Sequence, residues 1–331
     1  MENLERFQKI LNFDKDVDRV PMVEWAGWWD KTLNEWWQQG LPKDIELGNG
    51  LNDYFGQDRL MQFWVAPRDA TCPQAPYHGA PIINDEAEYE TIKKHLFTDE
   101  ILNENYARIK AFSEANKNNG FVYWFSLEGF FWFPRTLFGI ENHLYAFYDY
   151  PELMHQMNQD LCVFNKKVLE MIYSLISPTF MTMAEDMSYN HGPMLSRELY
   201  DEFILPYYKE IVPLVKAQGT KVFIDTDGNV EPLIPWFLDA GIQGVLPLER
   251  MAGVDVNRIR ENYPDFLMIG GFDKTIMHKG EAALRAEFER LLPAIRSGGY
   301  IPAVDHQTPP DVSLENYHTY MRLFQEYGAL K

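Results

Sequence analysis

Cysteine is scarce: Cys72 and Cys162 are the only two in 331 residues, which leaves no disulfide framework and no all-cysteine zinc site. Any metal would have to be held largely by oxygen and nitrogen. Positive charge is also short, with Lys and Arg numbering 30 against 49 Asp and Glu, a formal charge of −19. Phosphate binding needs clustered Lys and Arg, so this balance argues against a nucleic-acid partner and against an anionic membrane surface. No apolar run approaches the roughly 20 residues of a membrane span. The opening Met1-Glu2-Asn3-Leu4-Glu5-Arg6 is too charged for a signal peptide. A cytoplasmic location is therefore expected. Linkers, low-complexity tracts and repeats are missing too, so residues 1–331 read as one domain.

Aromatic residues are abundant instead, at 15% with nine Trp, and they concentrate in the first half. Trp25, Trp28, Trp29, Trp36, Trp37, Phe63 and Trp64 come early, followed by Tyr123, Trp124, Phe125, Phe130, Phe131, Trp132 and Phe133. Core and subunit-interface packing, as in a homodimer, is one reading, since aromatics dominate both. Several of them stand beside Gly, Pro and turn residues, where loops are expected. The pattern therefore also points to pocket lining for an apolar or aromatic ligand.

From about residue 180 the chain alternates short apolar runs with amphipathic stretches of helical period. Strands are expected at Phe180–Glu185, Lys221–Asp225, Gly244–Leu248, Phe266–Gly270 and Gly299–Val304. Helices are expected at Ser196–Gln218, Val230–Leu238, Val254–Asn262 and Glu281–Arg296, with a last one capped by Ser313. Val20–Trp25, Leu60–Val65 and Phe121–Phe125 supply three earlier strands. Eight strands with helices between them predict an α/β fold, a (β/α)8 TIM barrel of parallel strands. The aromatic stretch 27–81 reads as an N-terminal insertion capping the barrel mouth.

Acidic residues end these strands. Val20–Trp25 carries Glu24, and Phe121–Phe125 is followed by Ser126 and Glu128. Phe180–Glu185 ends in Glu185-Asp186, Lys221–Asp225 leads into Asp225-Thr226-Asp227-Gly228, and Gly244–Leu248 leads into Glu249-Arg250. The last two strands lead into Asp273-Lys274 and Asp305-His306. In a parallel barrel these ends converge on the face where active sites are built. An Asp or Ser after a strand, such as Asp227 or Asp273, is also an ordinary helix N-cap, but seven strand ends together indicate a clustered acidic site. The carboxylates of Asp225 and Asp227, two residues apart, point to one side of a strand. With His306 they form a candidate oxygen-rich divalent-metal site. Glu185, Asp186 and Glu249 are the candidate acids and bases. Glu24, Trp25, Trp28, Trp29 and Trp124 are candidate substrate contacts, and His191 joins them because it follows the Glu185 strand.

The chain resembles the uroporphyrinogen decarboxylase superfamily, which includes zinc-dependent methyltransferases of corrinoid systems. The matching stretches are Phe138-Gly139-Ile140-Glu141-Asn142, Glu185-Asp186, Gly192-Pro193-Met194-Leu195-Ser196 and Asp225-Thr226-Asp227-Gly228. They continue through Gly270-Gly271-Phe272-Asp273, Gly298-Gly299-Tyr300, Pro309-Pro310 and Glu315-Asn316. The resemblance implies the same (β/α)8 barrel. Its arginine-rich N-terminal motif, which binds tetrapyrrole propionates, is replaced here by Met22-Val23-Glu24-Trp25-Ala26-Gly27-Trp28-Trp29, so porphyrinogen decarboxylation is not expected.

In the methyltransferase branch zinc is held by a His-x-Cys pair and a later Cys. The resemblance places Asp225 and Asp227 on the pair and His306 on the last Cys. It thus implies a divalent metal, zinc by kinship, in a harder donor set suited to polarising an oxygen. The expected reaction is transfer of a methyl group from a small methoxylated donor to the corrinoid of a partner protein. A metal-dependent decarboxylase or lyase is the first alternative and a non-catalytic binding protein the second, since barrels host many reactions.

Overall fold

The computed structural model describes residues 1–331. Its strands in chain order are β1 (Leu60–Val65), β2 (Val122–Glu128), β3 (Phe180–Ala184), β4 (Ser188–Tyr189), β5 (Gly192–Pro193), β6 (Lys221–Asp225), β7 (Gly244–Leu246), β8 (Leu267–Ile269) and β9 (Tyr300–Ile301). β4 and β5 form a small antiparallel hairpin; the other seven make one parallel sheet in the order β1-β2-β3-β6-β7-β8-β9. Neighbouring strands of this sheet are joined by helices, the longest being Asp99–Ala115, Pro151–Leu175, Leu205–Ala217 and Glu281–Ser297. Leu314–Gly328 follows β9, with the Ser313 hydroxyl oxygen accepting from the Asn316 amide as its N-cap. The expected helix Ser196–Gln218 is two helices, Arg197–Phe203 and Leu205–Ala217. They meet just before Pro206, which has no N–H to continue the ladder.

The sheet curls but does not close. No eighth strand forms at Val20–Trp25, which corrects the expected eight-stranded barrel to a seven-stranded half-barrel. The segment still runs across the gap, bridging Arg19 to Ala329 and Trp28 to Thr308. Asp58 N donates to Met22 O just ahead of β1. Side chains take the bonds a ladder would use. Val304 N donates to Glu24 Oε2 at 3.0 Å and the Trp25 indole donates to Val304 O at 3.1 Å, while Pro21 has no N–H to give.

The interior of the curl is layered, as successive inward positions of parallel strands require. At the lower level Trp124 stacks on Phe180 (4.9 Å, 21°), and Phe180 meets Phe223 edge-on. Above them Gln62 donates to Ser126, and Ser126 and Thr182 share a hydroxyl bond of 2.6 Å. Ala184 and Asp225, paired in register, follow at the upper level, where together with Trp64 they line the cavity described below.

The stretch 27–81 contains β1 itself and the helices Asp30–Gln38 and Asn49–Tyr54. Its aromatic residues Trp28, Trp36 and Phe55 pack against Tyr317 of the last helix.

Candidate active site

The C-terminal ends of β1, β3, β6 and β9 surround a cavity of about 400 Å³ lined by Trp25, Gln62, Trp64, Trp132, Asp186, Asp225, Asp227, His306 and Gln307. No Lys or Arg lines it. Asp225 ends β6 and Asp227 lies on the loop beyond. Asp186 follows β3 at a backbone φ of +42°, a left-handed conformation uncommon for a residue with a side chain. Its carbonyl accepts from Arg135 Nη1 at 2.7 Å, which ties that turn in place.

Crowding three carboxylates in a half-enclosed cavity favours their neutral forms. Burial raises Asp225 well above the usual carboxylate range, with Asp186 and Asp227 adding to the effect. Asp227 is pushed up to about 7 by burial and by Asp186 and Glu249, while Lys274 pulls it back. Asp186 is raised by burial against the opposing charge of Arg135. His306 moves the other way, lowered by burial and by Lys274, and it stands edge-on to Trp25 at 5.8 Å. The mouth therefore holds carboxyl groups able to give up a proton near neutral pH, beside a neutral imidazole.

A second group borders this cavity. Lys274 Nζ lies 3.0 Å from Glu249 and 3.7 Å from the fully buried Asp305. Glu249 also accepts from Gly228 N, and Asp305 from Arg250 N. Glu249 and Lys274, with Trp29, line an adjoining cavity of about 510 Å³ that shares His306 and Gln307 with the first.

Five of the expected site residues lie elsewhere. Glu185 is fully buried, and its carboxylate accepts from the amides of Phe130, Phe131 and Trp132 at 2.8 to 2.9 Å and from the Tyr208 hydroxyl. It faces away from the cavity and anchors the start of the helix Trp132–Phe138. Burial raises its pKa while these donors oppose the rise. Trp124 is the stacked core residue two levels below the carboxylates, not a substrate contact. Trp28 belongs to the cluster with Trp36, Phe55 and Tyr317. His191 is exposed on the turn between β4 and β5, against Tyr189. Glu24 is spent on Val304 N and on the Tyr320 hydroxyl, 2.8 Å away.

Asp225, Asp227 and His306 all border the cavity, yet no three His, Cys, Asp or Glu side chains are arranged to hold a metal ion. Asp225 ends β6 and Asp227 follows it, while the imidazole stands edge-on to Trp25 at 5.8 Å. As their side chains stand, the three do not form the zinc site that the resemblance implies.

Sequence reasoning missed Gln62, Gln307 and Arg135. The two glutamines carry no charge signal, and Arg135 lies among aromatics in the helix Trp132–Phe138, where it reads as a surface residue of a packing helix.

The family model described as uroporphyrinogen decarboxylase matches residues 133–327. Among solved structures, a methyltransferase from Methanosarcina mazei superposes with a TM-score of 0.66 at 14% identity, covering 99% of this chain and 100% of that one. A putative vitamin-B12 independent methionine synthase from Listeria monocytogenes gives 0.46 at 10% identity, covering 94% and 96%. No curated protein matches the chain.

Proposed function

Since the chain belongs to the uroporphyrinogen decarboxylase family, we propose that it works in that family's methyl-transfer chemistry, moving a methyl group from a small methoxylated compound to the reduced corrinoid of a partner protein. The observation that carries this reading is the cation-free cavity in which Asp186, Asp225 and Asp227 face Trp25, Trp64 and Trp132. The aromatic walls suit a ring or other apolar body. The crowded carboxyls suit a reaction that must protonate a leaving group. The methyltransferase named among the structural neighbours is in keeping with it.

A methyl ether is a poor electrophile because its oxygen leaves as a basic alkoxide or phenoxide. In the proposed step the methyl carbon bonds to the acceptor's electron pair and the C–O pair goes to oxygen. Asp227 or Asp225 gives its proton to that oxygen, leaving a carboxylate and a neutral alcohol or phenol. Trp25 and Trp64 hold the donor in place and exclude water. His306, kept neutral, accepts a hydrogen bond from the departing hydroxyl.

The test is to mix the purified protein with a reduced corrinoid acceptor and a panel of methoxyaromatics, methanol and methylamines, and to follow the cobalt spectrum. Methylation of the acceptor supports the proposal. Release of CO2 from a carboxylated substrate with no methyl transfer would assign the protein to decarboxylation, which needs a proton donor of the same kind.

A further inference from the structure

Beside the acidic cavity lies a second one of about 290 Å³, lined by Tyr77, His78, Trp132, Arg135 and Ile140 among others. Trp132 lines both. Arg135 is the charged residue of this second cavity. Its guanidinium lies over the Trp132 ring at 5.2 Å, and its Nη1 donates to the Asp186 carbonyl. Its other N–H groups have no protein acceptor, and it forms no salt bridge, in a chain with 49 acidic residues against 30 basic ones. The neighbouring Arg68, by contrast, is paired with Glu128.

Asp186 and Asp227 act on this charge from a distance, but a half-buried guanidinium with no direct ion pair still has donors to offer, where such a charge is ordinarily paired. Its planar fork of donors matches a carboxylate in bidentate fashion. The adjoining acidic cavity, with no Lys or Arg in its lining, offers no partner for the same anion. An elongated substrate with a carboxylate at one end therefore has one favoured orientation, its anionic end at Arg135 and its other end among Asp186, Asp225 and Asp227.

We infer that the cavity holding Arg135 is a recognition subsite for a carboxylate on the substrate, so that the donor is a small methylated compound, ring-bearing to suit Trp132, that ends in a carboxylate. The inference rests on the methyl-transfer reading for the word donor. The subsite itself rests on the unpaired Arg135 and its cavity. Arg135 also holds the Asp186 turn, so the test must separate binding from scaffolding.

Isothermal titration of the purified protein with 4-methoxybenzoate and with methoxybenzene does so without needing turnover. The wild type is expected to bind the carboxylate at least tenfold more tightly than the neutral ether. Arg135→Met should abolish that preference by weakening 4-methoxybenzoate at least tenfold more than methoxybenzene, and Arg135→Lys should restore part of it. A purely scaffolding role would weaken both ligands alike. Should Arg135→Met fail to fold, the wild-type preference and the Lys variant still decide. Equal affinity for the two ligands in the wild type, or an undiminished preference in Arg135→Met, overturns the subsite. Carboxylate preference without methyl transfer would overturn the proposed reaction alone. Equal methyl transfer from neutral and carboxylated ethers would overturn the subsite alone.

Discussion

Asp227 sits one residue past the Thr226 that follows β6, with Asp186 and Glu249 near it and Lys274 as the opposing charge. A carboxyl raised to about 7 is half protonated at neutrality, which is the state a general acid needs. If it supplies the proton, kcat should be highest on the acid side and fall as pH rises through about 7, since only the protonated form donates. Asp227→Asn should cost roughly 100-fold in kcat and remove that limb of the pH profile. A rate independent of pH between 5.5 and about 8.5 in the wild type would rule Asp227 out as the acid. The aspartates and His306 were legible in the sequence because a charged residue at the end of an apolar strand has a position dictated by the strand. Glu185 obeys the same rule on paper. Its carboxyl is turned by Tyr208 and by the amides that follow Gly129, residues remote in sequence, so no local signal separated it from Asp186.

Those amides make the turn after β2 and the helix Trp132–Phe138 depend on one side chain just past β3. Three unsatisfied N–H groups at a helix start are costly when buried, and the Glu185 carboxylate satisfies them while filling the space beside Gly129, where a Cβ would collide with it. Glu185→Ala should therefore lower the unfolding free energy by about 3 kcal/mol, as expected when a buried charged partner is removed. Urea denaturation measures this. A loss of activity with unchanged stability would instead return Glu185 to the catalytic group. The tryptophans divide by element in the same way. Trp28→Ala empties a site in the cluster with Trp36, Phe55 and Tyr317 and should cost about 3 kcal/mol of stability with little effect on ligand affinity. Trp25→Ala should lose about 1 kcal/mol of affinity for a ring-bearing ligand. The β-strands were legible to within a few residues, Lys221–Asp225 and Leu60–Val65 to the residue, because apolar runs in a parallel sheet are buried on both faces. The division of tryptophans between core and cavity was not, since composition is the same on both sides.

At the scale of the molecule, the half-barrel is joined across its gap by side chains and scattered bridges where a full barrel would have a ladder. Glu24 is central to that closure, linking the segment beside β1 to Val304 after β9 and to Tyr320 on the last helix. The eighth strand was expected from the run Val20–Trp25 because periodicity reports burial, and this segment is largely buried. Periodicity does not report which groups bond Val304. Burial raises Glu24 to about 8, against the two donors, so it holds a proton at neutral pH in the fold but not in the unfolded chain, where its pKa is about 4.3. A group whose folded pKa lies above its unfolded value contributes stability below the unfolded pKa and loses it as pH rises through the folded one. The wild type should therefore lose stability progressively between about pH 4 and pH 8 through this residue. Glu24→Gln, which keeps an acceptor for Val304 N and carries no proton to lose, should flatten that part of the profile and be the more stable protein at about pH 9. Glu24→Ala should destabilise at every pH, and hydrogen exchange should then rise together in residues 19–28, after β9 and in Leu314–Gly328. Exchange confined to residues 19–28 would mean that the closure does not act as one cooperative unit.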